Sequence, residues 1–430
     1  MIKTTLAVAI LCVCTTTVFA QDIAPTLTPS FLLAWGCNYI AESNGTDAVG
    51  TTSCDYPAAT IFSAGGFDWN GDVGSYYLGF CGLRNGDGTY EPFGEPILPI
   101  SCAGIGLWAP SWYVGGYDYI WKDGIFFDAS GGVKTYWYKV IANARDDAFV
   151  LGHTAAGGIL AKFRGSDNAR LFVRNGIGGS AITRDKGGNI YIASGNQVTK
   201  YNPDVSKVAY NATISNGYIS SIYVDAYSQL YITGETGGGL PILYAPQPIF
   251  GGEYDAFLTV LSPTGKRMVY SSYLGGKGTD YAAGVSADEL GNAYIAGTDL
   301  SYEWDGRPWC DPGGGANCSE MFYVATFGPF RNSGVPDKLK FGARQVGTTT
   351  AKKLLFKNLG NVPLNVSGIQ VSGAEYAQIN TCNVPIKPDK TCAITVSFTP
   401  LSSGEHDGFV VVVSDSLPSP QQVALTGKGQ

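Results

Sequence analysis

Short β-rich runs of apolar and aromatic residues, punctuated by polar turns, recur along this chain. Four such stretches align with one another, at 140–154, 181–196, 222–236 and 285–299. Each has one β-rich run, a polar turn and a second run closing near a glycine. That pattern predicts two antiparallel strands joined by a turn. The turn cores are Ala144-Arg-Asp-Asp147, Asp185-Lys-Gly-Gly-Asn189, Asp225-Ala-Tyr-Ser-Gln229 and Asp288-Glu-Leu-Gly-Asn292. An Asp that opens a turn can accept from backbone N–H groups ahead of it, and Gly or Asn tolerates positive φ. From Asn143 to Asp185 is 42 residues, and from Asp185 to Asp225 is 40. The next step, to Asp288, is 63, which implies an insertion of about half a repeat. A strand repeat of roughly 40–45 residues has the length of one four-stranded propeller blade.

Before residue 135 the repeat fades. Between residues 21 and 135 lie four cysteines, and six of the eight tryptophans lie at or before Trp137. Dividing 21–335 by one blade length gives about seven blades, with 21–135 a divergent, Cys/Trp-rich part of the ring. After Ser333-Gly-Val-Pro336 the pattern changes. Apolar alternation is clear in 393–398 and 408–415, and turns fall at 358–361, 388–389 and 402–404. About seven short strands in under a hundred residues is the pattern of an immunoglobulin-like sandwich. The expected fold is therefore all-β, a β-propeller over 21–335 followed by an Ig-like β-sandwich over 336–430.

Residues 1–20 read as an export signal. Lys3 supplies the positive end, Leu6 to Val13 form a short apolar run, and Val18-Phe19-Ala20 fits the cleavage rule. The expected location is secreted, extracellular or cell-surface, with the periplasm the other compartment compatible with export. No later stretch is long and apolar enough for a transmembrane helix. Eight cysteines follow the leader, so disulfides are expected. Cys310 with Cys318 and Cys382 with Cys392 read as local pairs. Cys37, Cys54, Cys81 and Cys102 allow three connectivities, and the sequence does not choose among them.

Charged residues make up 15% of the chain, against a typical figure of about 25%, and glycine and tyrosine are abundant. That balance suits short strands and tight turns. The net charge of −7, without a basic cluster, excludes a nucleic-acid binder of the usual kind.

The stretch from Asp255 to Thr298, with the Asp-Ala-Phe strand start and Leu274-Gly-Gly, resembles the bacterial β-propeller repeat family SBBP. Leu240–Phe257 is similar to that family's proline-rich connector, and 321–329 to a degenerate copy of its strand. The resemblance is strongest over about 220–330 and weaker over 137–220. It implies a propeller and brings no catalytic residues. Residues 337–429 resemble the Hydin-type Ig-like domain, known in bacteria as choice-of-anchor D. The resemblance rests on Gln345-Val-Gly-Thr, Asn358-Leu-Gly-Asn, the Cys382 and Cys392 pair around Pro388, Phe398-Thr-Pro400 and Leu425-Thr-Gly-Lys-Gly. It implies a structural or adhesive module, and the two resemblances together imply a bacterial source.

Candidate chemistry is sparse. His153, Glu235 and Thr298 or Asp299 occupy equivalent repeat positions, where a His and a carboxylate could act as acid and base. The bland alternative, polar residues at strand ends, weighs more. Asp68, Asn70 and Asp72, and Asn85 and Asp87 in a second loop, place oxygens at alternating positions as calcium loops do. Val73 and Gly79 depart from the calcium pattern, and Asx-rich turns account for both loops. Calcium is the only cofactor these motifs suggest. Two long connectors, 237–254 and 302–318, carry Tyr244, Phe250, Trp304 and Trp309 and follow the same repeat strand. They are the expected ligand-binding surface, since loops on rigid scaffolds carry function. The leading expectation is a non-enzymatic binding or adhesion protein that meets a glycan or protein ligand at the cell surface or in the matrix. A polysaccharide lyase or glycosidase on the propeller face, and a structural matrix component, are the alternatives.

Overall fold

The computed structural model describes residues 147–299 (save 289) and 321–430 continuously; between 27 and 142 it describes the strands. The leader, the loops carrying Asp68, Asn70, Asp72, Asn85 and Asp87, Cys81, and the segment with Trp304, Trp309, Cys310 and Cys318 lie outside the described residues. Every regular element among the described residues is a strand. The chain is all β, a propeller body followed by an Ig-like sandwich.

Among the described residues the body contains six four-stranded antiparallel sheets. Sheets I to V span 37–80, 102–128, 135–175, 181–213 and 218–274, with their strands in sequence order. Sheet VI takes three strands from 280–327, and its fourth is the N-terminal strand Leu27–Leu32, paired antiparallel with Met321–Phe327. The first strands of successive sheets lie against one another. Thr135–Ala142 meets Ala181–Arg184, which meets Tyr218–Val224, which meets Asp280–Ala287. Cys37–Ser43 packs on the other side of Asp280–Ala287. Such radial stacking by first strands is propeller architecture.

The repeat arithmetic gave about seven blades, and the described residues of the body supply six four-stranded sheets. Leu27–Leu32 completes sheet VI instead of opening a blade of its own. Leu83–Arg84 and Tyr90–Glu91 form a separate two-stranded ladder between sheets I and II. In sheet I the antiparallel register sets Cys37 opposite Cys54.

The repeated Asp turns share one geometry. In sheet IV the Asp185 carboxylate accepts from the Asn189 backbone N–H (2.9 Å), the Asn189 amide (2.8 Å) and the Tyr191 hydroxyl (3.2 Å). Asp225 repeats this with Gln229 and Tyr231, and Asp288 with Asn292 and Tyr294. Each carboxylate thus satisfies donors of a tight turn and anchors the next strand through a tyrosine.

The sandwich has two four-stranded sheets. Thr350–Asn358, Thr391–Phe398 and Tyr376–Asn380 belong to one, with the short strand Ser333–Gly334 at its edge. In the other, Lys338–Arg344 runs parallel to the last strand, Gln421–Gly429. Strict in-out alternation along Thr391–Phe398 buries Cys392, Ile394, Val396 and Phe398 between the sheets. Cys382 and Cys392 are joined by a disulfide.

One residue seats the sandwich on the body. Asn361 is fully buried. Its amide donates to the Gly291 carbonyl (2.8 Å) and the Tyr231 hydroxyl (3.1 Å). Its side-chain oxygen accepts the Phe330 N–H (2.7 Å), and its carbonyl accepts from the Gln229 amide (2.8 Å). Gly291, at φ +83°, lets the chain approach so closely that a Cβ there would strike Val362. Arg267 adds a hydrogen bond to the Leu359 carbonyl (2.9 Å) and an ion pair with Asp389 (3.4 Å).

Candidate functional site

Antiparallel strands give the body two ends. The Asp turns lie at one, which the sandwich partly covers. The connectors that follow the second strand of each sheet lie at the other.

At the turn end, a cleft of about 380 Å³ lies between sheets IV to VI and the sandwich. Lys186, Asp225, Tyr227, Asp288, Asn361 and Lys387 are among its lining residues. Burial raises the Asp225 pKa to about 6, against the pull of the N–H groups of Gln229 and Tyr227. Burial also works on Asp185, but hydrogen bonds from Asn189 and Lys200 outweigh it and hold that carboxyl below its ordinary value. Both carboxylates of the cleft, Asp225 and Asp288, are occupied as turn caps. The cleft lies at the joint between the two modules.

At the connector end, His153 is exposed, opposite Tyr136 and Gly158 in the register of sheet III. Glu235 is half-buried in sheet V, opposite Tyr218 and Ala256, and burial raises its pKa. Asp299 closes a strand of sheet VI opposite Asp280. Sheet IV stands between His153 in sheet III and Glu235 in sheet V. The first two members of the acid–base pairing considered from sequence therefore belong to sheets that are not neighbours.

The 237–254 connector does not project as a free loop. It runs beside the outer strand Met268–Leu274, with Leu243 and Ser271 exchanging backbone hydrogen bonds. Tyr244, at φ +49°, packs tilted against Phe330 with ring centroids 4.9 Å apart. Phe250 is half-buried against Tyr273, at 5.6 Å. Both rings pack along the outer edge of sheet V, with Tyr244 still 37% exposed. Further exposed aromatics at this end are Tyr218, Tyr254 and Tyr281, each at least 40% exposed, with Ile249 on the connector. Tyr218 and Tyr281 sit at the starts of first strands, and Tyr254 just precedes a third strand, so all three share the connector end. Tyr218 and Tyr281 lie at strand starts, outside the long connectors, and Tyr254 is the last residue of the 237–254 connector. Register alone could have singled them out.

Among the described residues no group of three or more His, Cys, Asp or Glu side chains could hold a metal ion. No helix among them is long and apolar enough to cross a membrane.

Comparison with known proteins agrees with the architecture. Residues 334–430 match the HYDIN/CFA65/VesB-like Ig-like domain, and 269–298 match the SBBP beta-propeller repeat. No curated protein matches the chain. Among solved structures, one similar chain is PorZ, described as an essential bacterial surface component of the type-IX secretion system of Porphyromonas gingivalis. It is 9% identical, with a TM-score of 0.36, over 91% of this chain and 51% of that one. Another is the extracellular domain of a putative one-component system from B. thetaiotaomicron, 12% identical, TM-score 0.34, over 92% and 50%. This chain thus spans about half the length of each. A streptogramin B lyase is 12% identical, TM-score 0.35, over 71% of this chain and 99% of that one. Likeness at these levels carries no functional argument.

Proposed function

We propose that this is an exported, non-enzymatic binding protein whose ligand face is the connector end of the body. One observation carries the reading: the sandwich is seated on the turn end through Asn361, which leaves the exposed tyrosines of the opposite end uncovered. The leader-like residues 1–20 and the Cys382–Cys392 disulfide support export. Exposed phenols offer flat apolar faces with a polar rim, which suits a glycan or a protein surface. The half-buried Glu235, opposite Tyr218, adds an acceptor among them. The sandwich acts as a spacer or a second contact module.

Glycan-array and surface pull-down measurements on the wild type and on a Tyr218→Ala/Tyr254→Ala/Tyr281→Ala variant test this. Binding by the wild type that falls about tenfold or more in the variant is the expected result, since each buried aromatic anchor contributes on the order of 1 kcal/mol or more. A ligand retained equally by both removes the connector end as its site.

A further inference from the structure

We propose that Asp255 and Asp280 form a site for a hard divalent cation of the calcium class, at the connector end where sheets V and VI meet. The chain approaches the two aspartates through similar glycine loops, Gly251-Gly252-Glu253-Tyr254-Asp255 and Gly275-Gly276-Lys277-Gly278-Thr279-Asp280. Each carboxylate accepts the N–H of a glycine four residues earlier, Gly251 for Asp255 (2.8 Å) and Gly276 for Asp280 (2.7 Å). The loops then clasp each other: the Glu253 N–H donates to the Gly278 carbonyl (2.9 Å), and the Asp280 N–H to the Tyr254 carbonyl (2.7 Å).

This clasp brings the two acids to one point. A Cβ on Gly275 would stand 2.5 Å from Asp280 Oδ2 and 3.0 Å from Asp255 Oδ1. Both side chains are fully buried. Asp255 Oδ1 has no hydrogen-bond donor, and no Lys or Arg pairs with Asp255 among the described residues. A buried carboxylate oxygen without a donor is costly. Burial pushes the Asp255 carboxyl upward. A cation would supply the missing partner of Asp255 Oδ1. Hard cations take carboxylate and backbone carbonyl oxygens, and water completes their shell. The close-packed loops bring the carbonyls of Gly276 and Lys277 against Gly251 and Gly252. The bound ion would hold the 237–254 connector to the strand that opens sheet VI. These residues are separate from the loops at 68–72 and 85–91.

The test uses the full mature chain stripped with a chelator. Tyr254 and Tyr281 adjoin the two aspartates in sequence, so terbium bound there would be sensitised by tyrosine. The expected result is a saturating terbium signal that calcium displaces and that weakens about tenfold or more in Asp255→Asn and Asp280→Asn. Identical titrations of the wild type and the variants would overturn the site. Hydrogen exchange on the wild type alone decides the matter if the variants do not fold. Calcium that slows exchange at 251–255 and 275–280 supports the site. Exchange unchanged there by calcium removes it.

Discussion

In sheets IV and V the same tyrosine-anchored turn meets two different surroundings. Asp185 lies with Tyr191, and Lys200, the register partner of Tyr191, reaches the carboxylate at 3.1 Å and sits over the ring at 4.7 Å. In sheet V the register partner of Tyr231 is Val260, fully buried. No lysine is present there, and the sandwich stands over the turn, with Asn361 bonded to Tyr231 and Gln229. One backbone device thus serves as a buried cap with a bonded lysine counter-ion, or as a cap covered by the sandwich and bonded to neutral partners. The carboxyl of the first is held below its ordinary value, and that of the second is pushed up to about 6. The repeat supplies the hydrogen bonds, and whatever covers the turn determines the charge.

The most severe way to break this contrast is Asn361→Ala. It strands the Phe330 N–H and the Gly291 carbonyl in a buried joint and takes a donor from the Tyr231 hydroxyl. A loss on the order of 2–4 kcal/mol is expected. Calorimetry is expected to show one transition for the wild type and separate body and sandwich transitions for the variant. One unchanged transition would mean that the joint is held elsewhere.

Next in size is the acid dependence. The folded-state pKa of Asp225 lies above its unfolded value. Its contribution to stability is therefore fully present below about pH 4 and lost as pH rises through about 6. Relative to Asp225→Asn, the wild type should lose on the order of 2–3 kcal/mol between those limits. Asp185 has the opposite sign, with stability present above the ordinary carboxylate pKa and lost as pH falls below it. Urea midpoints across pH 3–8 for both Asn variants check this. Parallel profiles would erase the distinction between the turns.

The mildest probe is Gln229→Asn, which restores the residue type found in the other two turns, at Asn189 and Asn292. The shorter amide keeps the cap on Asp225 and gives up the bond to the Asn361 carbonyl. The expected cost is about 1 kcal/mol, confined to the joint and read from the unfolding midpoint.

The repeat period and the sandwich were legible in the sequence because both rest on local patterns, polar turns at fixed spacing and strict alternation. The departure at Gln229 was equally visible on the page. Its meaning was not, since its partner Asn361 lies 132 residues away. Tyr244 and Phe250 stood out as aromatics in a long connector. Their engagement depends on that connector folding back along Met268–Leu274, which Leu243 and Ser271 establish by non-local pairing. The same reason hid Asp255 and Asp280, since only the meeting of two glycine loops brings their carboxylates together. In sheet I the register does narrow what cysteine counting left open. Peptide mapping of the oxidised protein is expected to recover a Cys37–Cys54 bridge, because opposed cross-strand residues fall within the Cα separation that a disulfide spans. Recovery of Cys37 with Cys81 or Cys102 would refute that register.

The pairing of Leu27–Leu32 with Met321–Phe327 makes the body a structure that is finished last where it began. Partners about 300 residues apart must meet. A chain emerging N-terminus first keeps its opening strand unpaired until nearly the whole body has appeared. An open strand edge is adhesive, and such distant pairing is slow. Nascent copies are thereby exposed to one another for the entire emergence time. A version lacking 27–32 should self-associate on a sizing column, and a monomeric elution would show that the ring tolerates an open seam.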